Sequence, residues 1–212
     1  MFEIVLGTNN RKKGLELSEL LEPHEIAVKT LADFSEKLTV QEDGETFIDN
    51  ARKKAREQAI FLNRWVIGED SGLCVDALDG APGVFSARFA ADGVSHNVSA
   101  NSSDADNNRF LLERLADIPL EKRTAHYVCT AAVADPTGEI RCESKGLCRG
   151  RILFEPSGTG GFGYDPLFEV IEYHSTFGAL TPAVKRAISH RARAMRSLIP
   201  LLLEVLLNRA FR

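Results

Sequence analysis

No two cysteines in this chain stand at CxxC spacing and none has a companion histidine pattern, so a zinc site has no support. The four that are present, Cys74, Cys129, Cys142 and Cys148, read as buried or half-buried free thiols. Positive charge is short as well: 26 Lys and Arg against 30 Asp and Glu leave a net charge of −4. That balance lacks the basic stripe that counterion release rewards, which excludes a general nucleic-acid or membrane-surface binder. An anionic small ligand would need a local cluster of Lys and Arg. Long hydrophobic runs are also missing, since residues 198–207 are broken by Pro200 and Glu204 and are too short to span a bilayer. Residues 1–10 have neither the basic start nor the small-residue cleavage site of a signal peptide. The expectation is a cytoplasmic protein without disulfides, with the sequons at Asn97 and Asn101 incidental. Walker A loops and GxSxG elbows are absent, and there is no ordered Cys/His pair.

What is present suffices for a sizeable core: 212 residues, 44% hydrophobic, enough for one large domain or two closely joined lobes. An apolar run at 2–6 ends at Gly7, and Leu17, Leu20 and Leu21 follow at helical spacing until Pro23, giving strand, turn and helix. Phe47, Ala51, Ala55 and Ala59 recur at four-residue intervals and predict an amphipathic helix over 46–62, with Asp43 and Gly44 in the turn before it. Residues 65–67 and 73–75 read as two strands flanking a Gly68 to Gly72 turn, and Asp79, Gly80, Pro82 and Gly83 mark a loop. Residues 92–108 are the loosest stretch, 110–116 a helix, and 127–134 with 139–147 a hairpin around Asp135, Pro136, Thr137 and Gly138. A docked helix starts near Ser189. No repeat, heptad or linker divides the chain, and the mixed order of elements makes the class α/β, with strand order left open.

Five segments carry candidate chemistry. Thr8-Asn9-Asn10-Arg11-Lys12-Lys13 lies between strand and helix, where free amides and a lysine make an anion site or an ordinary N-cap with a solvated basic turn. Glu42-Asp43-Gly44-Glu45 precedes the long helix that carries Lys54; such acids are also plain dipole partners. In Gly68-Glu69-Asp70-Ser71-Gly72 a strand-end carboxylate fits a magnesium ligand, a general base or a turn-forming Asp. Glu69 and Asp70 cannot both face one site unless the backbone has begun to turn. Gly158-Thr159-Gly160-Gly161-Phe162-Gly163-Tyr164-Asp165-Pro166 satisfies GxGxxG literally, but Pro156 before it and Pro166 after it exclude the strand and helix of a dinucleotide fingerprint. Its glycines fit left-handed dihedrals or close backbone approach, and its aromatics fit either base stacking or core packing. Lys185 to Arg191 ends in Ser189-His190-Arg191, where the serine can cap the last helix and the two donors meet a ligand or face solvent.

In this order the five segments resemble the inosine triphosphate pyrophosphatase, or Ham1-like, family over nearly the whole chain. Thr8, Asn10, Lys13 and Glu16 are similar to its T-x-N-x-x-K segment with a following Glu. Asn50, Ala51, Lys54 and Ala55 resemble its N-A-x-x-K-A helix. Glu69-Asp70-Ser71-Gly72-Leu73, followed by Gly80-Ala81-Pro82-Gly83 and Ser86-Ala87-Arg88, is similar to its central signature. Gly160 to Phe168 with Ser189-His190-Arg191 resembles its base-recognition half. The chain departs from the family where Val184 and Arg186 flank Lys185 in place of Glu and Asn, and residues 92–123 carry no matching motif.

The resemblance implies a two-lobed α/β fold with a long mixed sheet and a central nucleotide cleft, one pyrophosphatase domain over 1–212, and usually a homodimer. It also implies Mg2+ held by Glu42 and Asp70, with Lys13, Lys54, Thr8, Asn10 and Ser71 on the triphosphate. Phe162 would stack on the base of ITP, dITP or XTP, and Tyr164, Asp165, Lys185, His190 and Arg191 would meet it. Water would attack the α-phosphorus with Asp70 orienting or deprotonating it, and pyrophosphate would leave. The alternatives are a related pyrophosphatase for other modified nucleotides, which lacks the base half, and a nucleotide-binding regulator, which lacks the acidic pair.

Overall fold

The computed structural model describes residues 2–36, 38–94 and 101–210, with the side chains of 92–94, 209 and 210 left aside; the sequon at Asn97 lies outside the described residues. Strands are β1 (Phe2–Leu6), β2 (Ile26–Thr30), β3 (Val66–Val75), β4 (Thr124–Ala134), β5 (Ile140–Ile152), β6 (Phe168–Val170) and β7 (Ser175–Thr176). Helices are α1 (Arg11–Leu21), α2 (Phe47–Leu62), α3 (Phe89–Val94), α4 (Asp104–Arg114), α5 (Pro182–Ile188) and α6 (His190–Ala210). The strands form one mixed sheet in the order β2-β1-β3-β4-β5-β6-β7. It is parallel where β1 meets β2 and β3, and antiparallel where β6 meets β5 and β7. The α/β class therefore holds, and among the described residues no helix is long and apolar enough to cross a membrane.

The chain divides into two compact units, one of residues 1–70, 129–146 and 193–212, the other of 71–128 and 147–192. In the first, strand alternation sorts side chains to the two faces of the sheet. Ile4, Leu6 and Ile67 pack with Leu17 and Leu21 of α1 and with Met195, Leu198 and Leu202 of α6. Their neighbours Val5 and Val66 pack with Ala51, Ala55 and Ala59 of α2. In the second unit Leu73, Val75, Tyr127 and Ile152 share a core with Leu111 and Leu115 of α4 and with Phe168 and Phe177. Arg123 is buried there without a carboxylate: its guanidinium donates to the carbonyls of Leu115, Ile118 and Leu153 and lies over the Phe154 ring at 4.0 Å.

Three sequence expectations need correction. Residues 65–75 are not two strands about a turn: β3 runs unbroken from Val66 to Val75. Gly68 is there for close approach, because a Cβ on it would collide with the backbone of Ala51 and Ala55 in α2. The stretch 92–108 is not uniformly loose, since α3 runs to Val94 and α4 starts at Asp104. Ser103 caps α4, accepting from the Asp106 amide, so this helix begins six residues ahead of the expected start at 110. Strand β2 and helix α5 were not anticipated. The hairpin holds, with β4 and β5 adjacent and the Asp135 amide donating to the Glu139 carbonyl.

Candidate active site

In the first unit, the first turn of α1, entered directly from the loop after β1, carries Lys13. Asn10 is the N-cap of α1, its side-chain oxygen accepting from the amides of Lys12 and Lys13 at 3.0 and 3.4 Å, and the Thr8 hydroxyl accepts from the Asn10 amide at 3.2 Å. The capping alternative is thus realised for Asn10, and it aims the first turn of α1. Lys13 Nζ meets the buried Glu69 carboxylate at 2.6 Å. Gly14 continues that turn against Thr30, where a Cβ would collide with the threonine side chain.

Helix α2 supplies the second cluster. Asn50 and Lys54 are four residues apart, hence on one face. Asn50 Nδ2 donates to Asp70 at 3.2 Å and Lys54 Nζ donates to the other Asp70 oxygen at 3.0 Å. The same ammonium stands 3.0 Å from Glu42. Asn50 also accepts from the Gly44 amide at 2.8 Å, which ties the acidic turn to the helix. Glu69 and Asp70, adjacent in β3, accordingly pair with different helices, Glu69 with α1 and Asp70 with α2, as strand alternation requires. Ser71 follows in the strand, half-buried.

One ammonium between two carboxylates leaves a surplus negative charge. Burial pushes the Asp70 carboxyl above its ordinary value, with the Glu42 charge adding to it against the pull of Lys54 and Asn50. For Lys54 burial acts downward, yet Asp70 and Glu42 together outweigh it and hold the ammonium above the usual lysine range.

In the second unit, residues 158–166 form neither strand nor helix, and Gly158, Gly161 and Gly163 have φ of 79°, 80° and 60°. The left-handed reading of the glycines is therefore correct and the dinucleotide fingerprint is absent. Asp165 organises the loop: its carboxylate accepts from the Phe162 amide at 2.8 Å and from Lys185 of α5. Burial raises the Asp165 carboxyl, and Lys185 opposes that. Phe162 is 67% exposed, with Lys185 Nζ 4.9 Å from its ring centre. Tyr164 is buried and its hydroxyl donates to the Ser86 carbonyl at 2.8 Å. The Ser189 hydroxyl accepts from the Ala192 amide at 3.2 Å, capping α6 as expected, and leaves half-buried His190 and Arg191 in the first turn.

Sequence reasoning missed the residues that brace this loop. Asp104 accepts from the Gly163 amide at 2.7 Å and Asn108 donates to the Gly163 carbonyl at 3.0 Å, one helical turn apart on α4. Their spacing of four was a usable signal, but residues 92–108 had been read as loose, so no helix face was there to place them on. Tyr127, stacked on His190, had no local signal at all.

The Ham1 family model matches residues 4–201. A protein of Rhodopirellula baltica named dITP/XTP pyrophosphatase is 51% identical over 97% of this chain and 95% of its own. One of the same name from Desulforamulus reducens is 46% identical over 94% of this chain and 95% of its own. The solved HAM1 protein of Coxiella burnetii superposes with a TM-score of 0.85 at 37% identity, covering 96% of this chain and all of that one. A match of this extent, on a chain with a mixed α/β sheet, means that the protein belongs to the Ham1 family.

Proposed function

We propose that this protein hydrolyses the triphosphates of aberrant purines, ITP, dITP and XTP, to the monophosphate and pyrophosphate. The observation that carries the reading is the Glu42–Lys54–Asp70 cluster, where two carboxylates meet one ammonium at 3.0 Å each. Near-full-length similarity to proteins named dITP/XTP pyrophosphatase supports the substrate class.

The cluster also fits a magnesium ion. Two oxygen donors already converge on a cation, and the surplus negative charge calls for more positive charge than Lys54 provides. Magnesium is commonly held by one or two carboxylates and completed by substrate phosphates, and Glu42 with Asp70 supplies such a pair. Glu42 and Asp70 would hold it, and when bound it would neutralise charge developing on the phosphate oxygens.

The protein's own groups do the remaining work. Lys13 and Lys54 supply positive charge to the triphosphate, with Thr8, Asn10 and Ser71 as nearby polar groups. Asp70 takes a proton from the water that attacks the α-phosphorus, its carboxylate held in place by Asn50 and Lys54. Pyrophosphate leaves with the electron pair of the broken P–O bond.

Base selection belongs to the second unit. The exposed Phe162 ring offers a stacking face, Asp165 and Lys185 fix its loop, and Tyr164 braces that loop through Ser86. His190 and Arg191 donate to the 6-oxo group; adenine, which carries an amino donor there, leaves them unpaired. Such buried mismatches discriminate by up to about 10⁴-fold. The working form is a cytoplasmic homodimer of one two-lobed pyrophosphatase domain.

The test is pyrophosphate release with magnesium from ITP, dITP, XTP, GTP, ATP, dUTP and CTP, with Asp70→Asn as the blank. Release from ITP and XTP that the substitution abolishes, with little from ATP, is expected. A preference for a pyrimidine would overturn the base reading, and no hydrolysis at all would overturn the enzyme reading.

A further inference from the structure

The Tyr127 ring lies flat against the His190 imidazole, with centres 4.6 Å apart and planes 10° from parallel. Tyr127 comes from β4 and His190 from the start of α6, so 63 residues of chain separate the partners, and both belong to the second unit. The tyrosine is itself held: Phe168 of β6 lies 4.7 Å from it and Phe177 5.9 Å, and those two stack on each other at 5.3 Å. Phe177 in turn sits under Lys185 Nζ at 5.4 Å, the lysine that also pairs with Asp165. At its polar end the phenol is close enough to the Tyr164 backbone and the Asp165 carboxylate to feel both, and burial keeps it neutral. One buried side chain thus lies with its face on the imidazole and its ring against Phe168 and Phe177.

We infer that Tyr127 is a positioning residue for purine recognition, which fixes the plane of the His190 imidazole and so the direction in which its N–H donates to the 6-oxo group. This rests on the assignment of His190 to the base, made above. An imidazole has a broad, roughly two-fold torsion about its ring bond, so its donor direction is not set by rotamer preference alone. A flat aromatic neighbour removes that freedom, whereas an aliphatic one of similar volume fills the space without defining a plane. Offset or parallel ring contacts of this kind are worth a factor of roughly two to twelve in an equilibrium. Because the donor acts on the oxo group and not on the phosphates, the consequence falls on KM and on base choice, not on turnover.

The experiment compares Tyr127→Phe, Tyr127→Leu and His190→Ala, reading kcat and KM for ITP and ATP in each. Tyr127→Phe keeps the ring and should hold the ITP:ATP ratio of kcat/KM within about twofold of the parent. Tyr127→Leu should raise the KM for ITP about tenfold, leave kcat nearly unchanged and lower the ratio by a similar factor. A merely structural role would lower thermal stability and active fraction while KM and the ratio stayed put, and that result overturns the inference. If His190→Ala loses the ratio but Tyr127→Leu keeps it, the positioning role fails while the base assignment stands. If neither loses it, the base assignment itself has failed. Should Tyr127→Leu not fold, proton NMR of the parent decides, with His190 assigned by its loss in His190→Ala. The stack predicts His190 ring protons displaced upfield by the tyrosine ring current and still displaced with ITP bound. Loss of that displacement on adding ITP would overturn the inference.

Discussion

In the first unit Lys54 faces two carboxylates and the cluster keeps a negative charge to spare, while in the second Lys185 faces Asp165 one to one and leans over the rings of Phe162 and Phe177. Both lysines are largely shielded from water and both acids have pKa values raised by burial, so the local physics is alike. What differs is the closure. The first cluster is electrostatically incomplete and responds to a ligand that changes charge, namely phosphate with its counter-cation. The second sets its lysine against one carboxylate, with Asp104 engaged by the Gly163 amide, and holds shape, an aromatic face and a set of aimed donors, which suits a neutral planar base. Catalysis and selection should therefore separate under mutation.

The largest separation is expected from Asp70→Asn. Removing the base should lower kcat for ITP by about 10³-fold with KM little changed, measured by steady-state pyrophosphate release. Lys54 keeps Glu42 as partner, so unfolding should stay cooperative. The stability sign follows from the raised carboxyl: its favourable contribution is present at pH below the unfolded carboxylate pKa and is lost as pH rises through the folded value. The asparagine variant should therefore lose that part of the pH dependence and be no less stable near neutrality. A collapse of Tm at neutral pH would mean that Asp70 is structural.

Next in size is Asp165→Asn in the second unit. Lys185 loses its carboxylate, although the Phe162 amide can still donate to the new amide oxygen. The kcat/KM for ITP should fall about 100-fold, carried by KM, with the ITP:ATP ratio falling too. A loss confined to kcat would erase the division between the units.

A glycine pair sharpens the same contrast through stability. Gly68→Ala in β3 drives a methyl into the backbone of α2 beneath the Asp70 cluster, whereas Gly163→Ala meets no atom within 4 Å and bears only the strain of φ 60°. The first should cost about 1–3 kcal/mol and the second about 1–2 kcal/mol in chemical denaturation. Only Gly68→Ala should also lower kcat, because α2 carries Asn50 and Lys54.

That glycine also marks where the sequence was legible and where it was not. Helix α2 could be read because alanines every fourth residue state its buried face, whereas Asn50 and Lys54 were marked by the family resemblance and their meeting at Asp70 came from the structure. Strand β3 was misread because glycine signals a turn by composition but close packing by context, and the context is a helix whose backbone lies against it. The capping roles of Asn10 and Ser189 were visible as local chemistry. Strand β2, five residues long and half-buried through its middle, has no alternation strong enough to see. The contact of Tyr127 on His190 joins distant chain segments and has no periodic signature at all, while the four-residue spacing of Asp104 and Asn108 shows that they share a helix face but not that this face meets Gly163.

The smallest expected effect reads the electrostatics of the first cluster through one hydrogen bond, although the same side chain also ties the acidic turn to α2 through the Gly44 amide. Asn50 donates to Asp70 and so lowers its pKa against the larger upward push of burial. Asn50→Ala removes that bond and should raise the carboxyl further. If Asp70 must be ionised to take a proton, the acidic limb of the kcat–pH profile moves to higher pH and the rate below the limb falls; loss of the Gly44 tie acts on the height of the plateau, not on the position of the limb. Asp165 has no link to Asn50, so the ITP:ATP ratio should not move at any pH. A limb that shifts the other way would mean that the rate-limiting group acts as an acid, and the water would need a different base.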